Sequence, residues 1–203
     1  MGCTSPIGMV YNEVFRVHFL FPRIKWVQEV VALDTAPRFF LNHPENILRR
    51  RPDALAIIKG SPRYPEIHGT VSLYRAGGGV LLAAQIRGLP SGFGPCAPNI
   101  FGFHIHEGYS CTGNAEDSFA NAGAHYNPEG CPHPAHAGDL PPLFGNQGYA
   151  FLAFFTNRFT IEDVAGRAVI IHGSPDDFTT QPSGNSGEKI ACGRILPVMR
   201  NRG

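Results

Sequence analysis

The chain has 203 residues, with 17 basic and 16 acidic side chains and a formal net charge of +1. That balance excludes a protein that binds nucleic acid or another polyanion through bulk charge, and the length suits one well-cored domain with an extension, or two small domains. Glycine (24) and proline (18) are abundant, as in a loop-rich β protein, and no apolar run reaches the roughly eighteen residues of a transmembrane helix.

Residues 1–50 read as an N-terminal extension and residues 51–203 as the folded domain. The extension mixes Phe, Val and Arg without a sustained helix or strand period. A short amphipathic helix around Lys25–Leu33 and a disordered arm are both open readings. It ends at Arg49, Arg50 and Arg51, a solvated linker rather than a nucleic-acid contact. Its first twenty residues lack the basic start and apolar run of a signal peptide, and Cys3 lacks the apolar run that precedes a lipid-modified cysteine. Gly2 is followed at position 6 by Pro6, where a myristoylation motif needs Ser or Thr. His18, His43 and Trp26 have no partner at a useful spacing.

From Asp53 onward the pattern is β. ALAIIKG (54–60) forms a first strand, and GTVSLYRA (69–76) alternates apolar and polar residues. GGG at 77–79 turns the chain tightly into VLLAAQIRGL (80–89), which predicts a hairpin. IFGFHIHE (100–107), YAFLAFFT (149–156), RAVIIHG (167–173) and IACGRILP (190–197) complete a set of seven or eight strands, an antiparallel sandwich or barrel. Between Gly108 and Asn146 lies a loop of about forty residues, a length uncommon in a compact domain unless it is functional and held by other means.

Six of the nine histidines fall in and around that loop. His104 and His106 stand two apart in GFHIHEG; strand side chains alternate faces, so both imidazoles point one way and Ile105 the other. His125 follows in GAHYNP, then His133, His136 and Asp139 in HPAHAGD, and His172 in VIIHGSPDD. Clustered imidazoles with one carboxylate suit copper and zinc rather than calcium or magnesium. His104, His106, His125 and His172 could converge as a nitrogen set suited to copper, and His125, His133, His136 and Asp139 could form an N₃O set suited to zinc. His125 belongs to both, and its two ring nitrogens allow it to bridge. Five cysteines leave at least one unpaired. A Cys111–Cys192 bridge would close about eighty residues and favour an oxidising compartment, while five reduced thiols remain the alternative.

These segments resemble the copper/zinc superoxide dismutase family. GFHIHEG, GAHYNP, HAGDL, VIIH followed by DD, and GNSGEKIACG match that family's segments in order, over about residues 54–196. The resemblance implies an all-β fold, a Greek-key antiparallel eight-stranded β-barrel with long metal-binding and electrostatic loops. It implies a copper ion on His104, His106, His125 and His172, a zinc ion on His125, His133, His136 and Asp139, and a Cys111–Cys192 disulfide. It further implies an oxidoreductase that converts superoxide to oxygen and hydrogen peroxide, with His125 as the catalytic bridge. Asp176 matches the family's outer carboxylate, which accepts from one copper and one zinc histidine, here His104 and His133; Asp177 is the weaker match. A homodimer is compatible with the resemblance, but the sequence does not specify one. The alternative function is a non-enzymatic relative that binds copper and zinc for storage or delivery, which would be expected to have lost a copper ligand.

Two positions depart from the family pattern. Three residues before the last cysteine the family usually carries an arginine, where this chain has Lys189. Lysine keeps the charge that attracts an anion but loses the planar fork, so activity is expected to persist below the family norm. Glu188 beside it is expected to weaken the attractive field further. Cys131, two residues before His133, is open to three readings: an idle thiol, a zinc competitor, or a partner of Cys96. Glu107 reads as a rim charge.

Overall fold

The computed structural model describes residues 44–92, 97 and 99–199. Most of the expected extension, with Cys3, His18, Trp26 and His43, therefore lies outside the described residues, as does Cys96. The strands are β1 (Ala54–Gly60), β2 (His68–Ala76), β3 (Gly79–Arg87), β4 (Ile100–Phe101), β5 (Phe103–His106), β6 (Leu143–Phe144), β7 (Ala150–Thr156), β8 (Ala168–His172) and β9 (Lys189–Pro197). Among the described residues two short α-helices, α1 (Pro44–Leu48) and α2 (Ile161–Val164), accompany them. None of the described helices is long and apolar enough to cross a membrane.

Seven strands form one antiparallel sheet in the order β5-β8-β9-β1-β2-β3-β7, and β4 pairs with β6 in a two-stranded ribbon. The all-β antiparallel expectation holds, and the sheet curls around its own core. The predicted hairpin is present: β2 and β3 pair down to Ala76↔Gly79, with Gly77 and Gly78 at positive φ (46° and 89°) in the two-residue turn.

Alternation explains the core. In β1, Ala54, Ala56 and Ile58 are buried while Ile57 and Lys59 are exposed. The buried face joins Leu73, Leu82, Ile86, Phe103, Ile105, Val169, Ile171 and Ile195 in one cluster. Each fully buried Ile or Leu contributes about 1.5–3 kcal/mol of apolar transfer energy. On the other face, Ile47 of α1 packs with Tyr74, Ala76, Leu81 and Ala83.

β8 is buried along its whole length because both faces are covered. Val169 and Ile171 enter the main core, whereas Ala168 and Ile170 pack under Phe119, Ala122 and Cys192. The expected strand 100–107 breaks at Gly102, where a Cβ would lie 2.8 Å from Ser186 Oγ and 3.2 Å from His172 Cβ. Gly102 carries hydrogen bonds on both sides, its N–H to Ser174 O and its C=O from His172 N–H. The break lets the second long loop approach the strand that carries the H-x-H pair.

Candidate metal centre

β5 sends Phe103 and Ile105 into the core and His104 and His106 to the opposite face, as alternation requires. The loop after β5 returns along the same strand. Glu107 N–H bonds Ala124 O, Tyr126 N–H bonds Ile105 O, Ile105 N–H bonds Gly138 O, and Leu140 N–H bonds Phe103 O. These bonds place His125 beside His106 and Asp139 beside His104 as isolated β-bridges. Arg158 donates to Asp139 O and Pro134 O, both at 3.2 Å, and so ties down the segment carrying His133 and His136. Arg167 lies over the Tyr126 ring at 4.1 Å and donates to Glu107 O at 2.6 Å. A Cys111–Cys192 disulfide, with Cα atoms 5.7 Å apart, fastens the first part of the loop to β9. A loop without regular periodicity is thus held by backbone pairing, cation–π contacts and a covalent bridge.

Two donor groups result, His104/His106/His125/His172 and His125/His133/His136/Asp139, and within each group the ligand atoms lie within 4.8 Å of one another. All seven residues are buried. The hydrogen bonds decide which nitrogen each ring offers. His104 Nε2–H donates to Asp176 Oδ2 at 2.7 Å, leaving Nδ1 for the first group. His106 and His172 use Nδ1 on the carbonyls of Gly123 (2.8 Å) and Gly187 (3.1 Å), leaving their Nε2 atoms 3.3 Å apart. His133 Nε2–H donates to Asp176 Oδ1 at 2.9 Å, leaving Nδ1 for the second group. His125 Nδ1 lies 2.7 Å from Asp139 Oδ1, so its Nε2 turns to the first group.

Among the described residues, four buried side-chain atoms have no hydrogen-bond partner: His104 Nδ1, His125 Nε2, His133 Nδ1 and His136 Nδ1. Buried polar atoms are almost always satisfied, and these four all point into the two donor groups. The residues therefore fit two metal ions that share the His125 ring.

Electrostatics favour the ligand forms. Burial pushes His106 well below its usual pKa, helped by the neighbouring His172. Burial, then the nearby His104, lowers His172 to about 3. His104 is lowered by burial despite its bond to Asp176. Neutral imidazoles are the metal-binding form. Burial alone would raise Asp139, but the His125 hydrogen bond and the charges of His125, His133 and His136 hold it below the usual range. Asp176 is likewise driven far down: burial opposes ionisation, and hydrogen bonds from His104, the Phe178 amide and His133 outweigh it.

Asp176 is therefore the carboxylate that touches both groups. Asp177 faces Thr179 and Thr180 instead, and its pKa falls to about 2 chiefly through the Thr180 hydroxyl and amide. Cys131 is a half-buried free thiol whose backbone is gripped by the Asn127 side chain, and it belongs to neither donor group.

An open cleft of about 660 Å³ lies over His106, His125 and His172, with Lys189 on its wall. Lys189 pairs with His172 across β8 and β9, at a register shift. Its Nζ lies 2.5 Å from Asp117 Oδ2, a contact that the sequence reading did not anticipate. Glu188, expected to weaken the attractive field, lines the same cleft and pairs with Arg63 (2.8 Å) and with the Tyr64 hydroxyl. Glu107 is exposed at the rim, and its carboxylate accepts from Ala124 N–H at 3.4 Å. No local signal marks Asp117 as a partner of a lysine 72 residues away. The Gly123 and Gly187 carbonyls were equally illegible, because main-chain acceptors carry no side-chain signature.

A curled antiparallel β fold carrying two histidine-rich donor groups that share one imidazole defines a class of two-metal β-barrel proteins. A family model for copper/zinc superoxide dismutase matches residues 67–195. Over 146 residues, 64% of this chain and 80% of the relative, the sequence is 34% identical to "Superoxide dismutase [Cu-Zn] 2" of Aquifex aeolicus. It is 33% identical over 141 residues to "Superoxide dismutase [Cu-Zn]" of Photobacterium leiognathi, covering 63% of this chain and 78% of that protein. It is 32% identical over 146 residues to the Deinococcus radiodurans protein of the same name, covering 63% and 76%. The chain belongs to the copper/zinc superoxide dismutase family. Membership carries the family's activity, the dismutation of superoxide, and its cofactors, copper and zinc.

Proposed function

We propose that His104, His106, His125 and His172 hold the copper ion and that His125, His133, His136 and Asp139 hold the zinc ion of a superoxide dismutase. The observation that carries this assignment is the set of unpartnered buried nitrogens, each aimed into one of the two groups. Bound copper supplies one-electron exchange in both directions, so that two superoxide anions and two protons yield oxygen and hydrogen peroxide.

The chain's own residues set the rest. His125 is the one ring that faces both groups, so a proton held at its Nε2 stands at the floor of the cleft while Nδ1 stays engaged beside Asp139. Asp176 accepts from His104 and His133 at once, fixing which nitrogen each ring presents. Burial of the donors leaves the reacting centre open to solvent and substrate only on the side of the cleft. Lys189, on the cleft wall, supplies the positive charge that draws in the anion. The non-enzymatic alternative is not favoured, because no copper donor is missing.

The same reading makes residues 51–203 the enzyme domain and residues 1–50 an extension, in keeping with a family match that begins at residue 67. It includes a homodimer, supported by the exposed Phe144 and Phe151 on the adjacent strands β6 and β7. Sedimentation of the full chain at micromolar concentration tests that part.

The test of the enzyme is superoxide dismutation after reconstitution with copper and zinc, with bound metal counted in the same sample. One copper and one zinc per chain with copper-dependent turnover is expected. Full occupancy without turnover would leave a metal-binding relative of the family instead.

A further inference from the structure

The cleft over the copper donors carries an unusual charge arrangement for an enzyme that must attract an anion. Its lining holds two cations, Arg63 and Lys189, against four carboxylates, Glu107, Glu116, Asp117 and Glu188. Both cations are already paired: Arg63 with Glu188 at 2.8 Å and Lys189 with Asp117 at 2.5 Å. The first pair is largely solvated, and screening leaves it little weight. The second is different, because the Lys189 side chain is only 17% exposed and stands directly opposite His172 in the β8–β9 ladder.

Asp117 is not a freely swinging surface carboxylate. Asn114 Oδ1 accepts from the amides of Glu116 (3.0 Å) and Asp117 (2.8 Å), which folds the segment into a tight turn. Asp117 Oδ1 accepts from Phe119 N–H at 2.9 Å, so its other oxygen is aimed at Lys189. Phe119 is itself buried with Ala122, Ala168, Ile170 and Cys192. The disulfide joins Cys111, in the same loop, to Cys192, three residues after Lys189 on β9. Carboxylate and ammonium are thus anchored to one rigid unit.

We propose that Asp117 is a positioning residue that sets the anion affinity of the copper site by holding the Lys189 ammonium and cancelling part of its charge. The inference rests on the copper assignment given above. An incoming superoxide must share the ammonium with Asp117 or displace it. The pair therefore lowers the attraction of the cleft while keeping the cation at a fixed place on its wall.

The experiment uses the full chain loaded with copper and zinc, metal counted, and azide as the anion probe, with its binding to Cu(II) read by electron paramagnetic resonance. Asp117→Asn keeps an acceptor for the Phe119 amide and removes the charge. It is expected to tighten azide binding about three- to tenfold at low salt, an effect that shrinks as salt rises. Asp117→Glu keeps the charge and should bind azide as the native chain does. In a Lys189→Met background the Asp117→Asn effect should fall to that of Glu116→Gln, a neighbouring cleft carboxylate not paired with Lys189. Copper-loaded Asp117→Asn with azide affinity within about twofold of native would overturn the inference, as would a full effect persisting without Lys189. A chain whose copper signal does not depend on His104, His106, His125 and His172 would overturn the ligand assignment, and this inference with it.

Discussion

Gly184 is pressed against Asp176: a Cβ at position 184 would lie 1.9 Å from Asp176 Oδ1 and 2.7 Å from His133 Nε2. The glycine also has φ +65°, a conformation that side chains rarely adopt. The second long loop can bring its carboxylate between the two metal groups only because it has no side chain at that point. Gly184→Ala should therefore cost about 2 kcal/mol or more, through both backbone strain and displacement of Asp176. Its readouts are a lower unfolding midpoint and a lower copper and zinc content after dialysis against a weak chelator. Native metal content in the variant would show that Asp176 is dispensable for orienting His104 and His133.

The metal-free protein should lose stability as pH falls from neutrality. In the unfolded chain a histidine titrates at about 6.5, whereas burial holds His172 at about 3 and His106 well below its usual value. Between those limits the unfolded state binds protons that the folded state refuses. The stability is present in full above about pH 6.5 and declines as pH drops toward 3, at about 1.4 kcal/mol per pH unit for each such histidine. Below about pH 4 the depressed carboxyls of Asp139 and Asp176 add to the loss. Urea midpoints of the metal-free chain at pH 7.5, 6 and 5 check this; a flat series would contradict the burial argument.

Lys189→Arg should raise catalytic efficiency at low salt by a few-fold. An arginine presents five donors in a planar fork, so it can keep Asp117 on one edge and still offer paired donors to an oxyanion. Lysine, with one donor already committed to Asp117, holds the anion as a point charge. The check is kcat/KM measured against ionic strength for both proteins; an unchanged or lower value for the arginine variant counts against Lys189 as the anion-attracting residue.

Removing the Cys111–Cys192 bridge should loosen the loop that carries Asp117 more than the barrel beneath it. Cys192→Ser is expected to cost about 2–5 kcal/mol by loss of the constraint on the unfolded chain. Hydrogen exchange should show that drop in global stability at the most protected amides of β1, β2 and β3, and at residues 108–123 a further loss through local opening of the loop. Loss confined to the globally exchanging amides would mean that the bridge acts only through the unfolded chain and does not hold the loop.

Much of the candidate site was legible because its signals are local. His104 and His106 announce a shared face through strand alternation, and His133, His136 and Asp139 lie within one short segment. The hairpin at Gly77 and Gly78 and the alternating strands follow from period-two patterning and turn chemistry, which need only near neighbours. The break at Gly102 was not legible, because its cause is the approach of Ser186 and His172 from another part of the chain.

The sequence alone determined the candidate donor types and the β character of the scaffold, since residue chemistry and short-range spacing carry that information, while the grouping into two sets came from the resemblance to the family. Only the tertiary structure decided which nitrogen of each histidine faces its donor group, because that depends on the Asp176 carboxylate and on the Gly123 and Gly187 carbonyls brought in by separate loops. The same holds for Lys189, whose cation is met by Asp117 rather than by the adjacent Glu188. Charge attraction acts through space, and no pattern along the chain records which distant carboxylate the fold will bring within 2.5 Å.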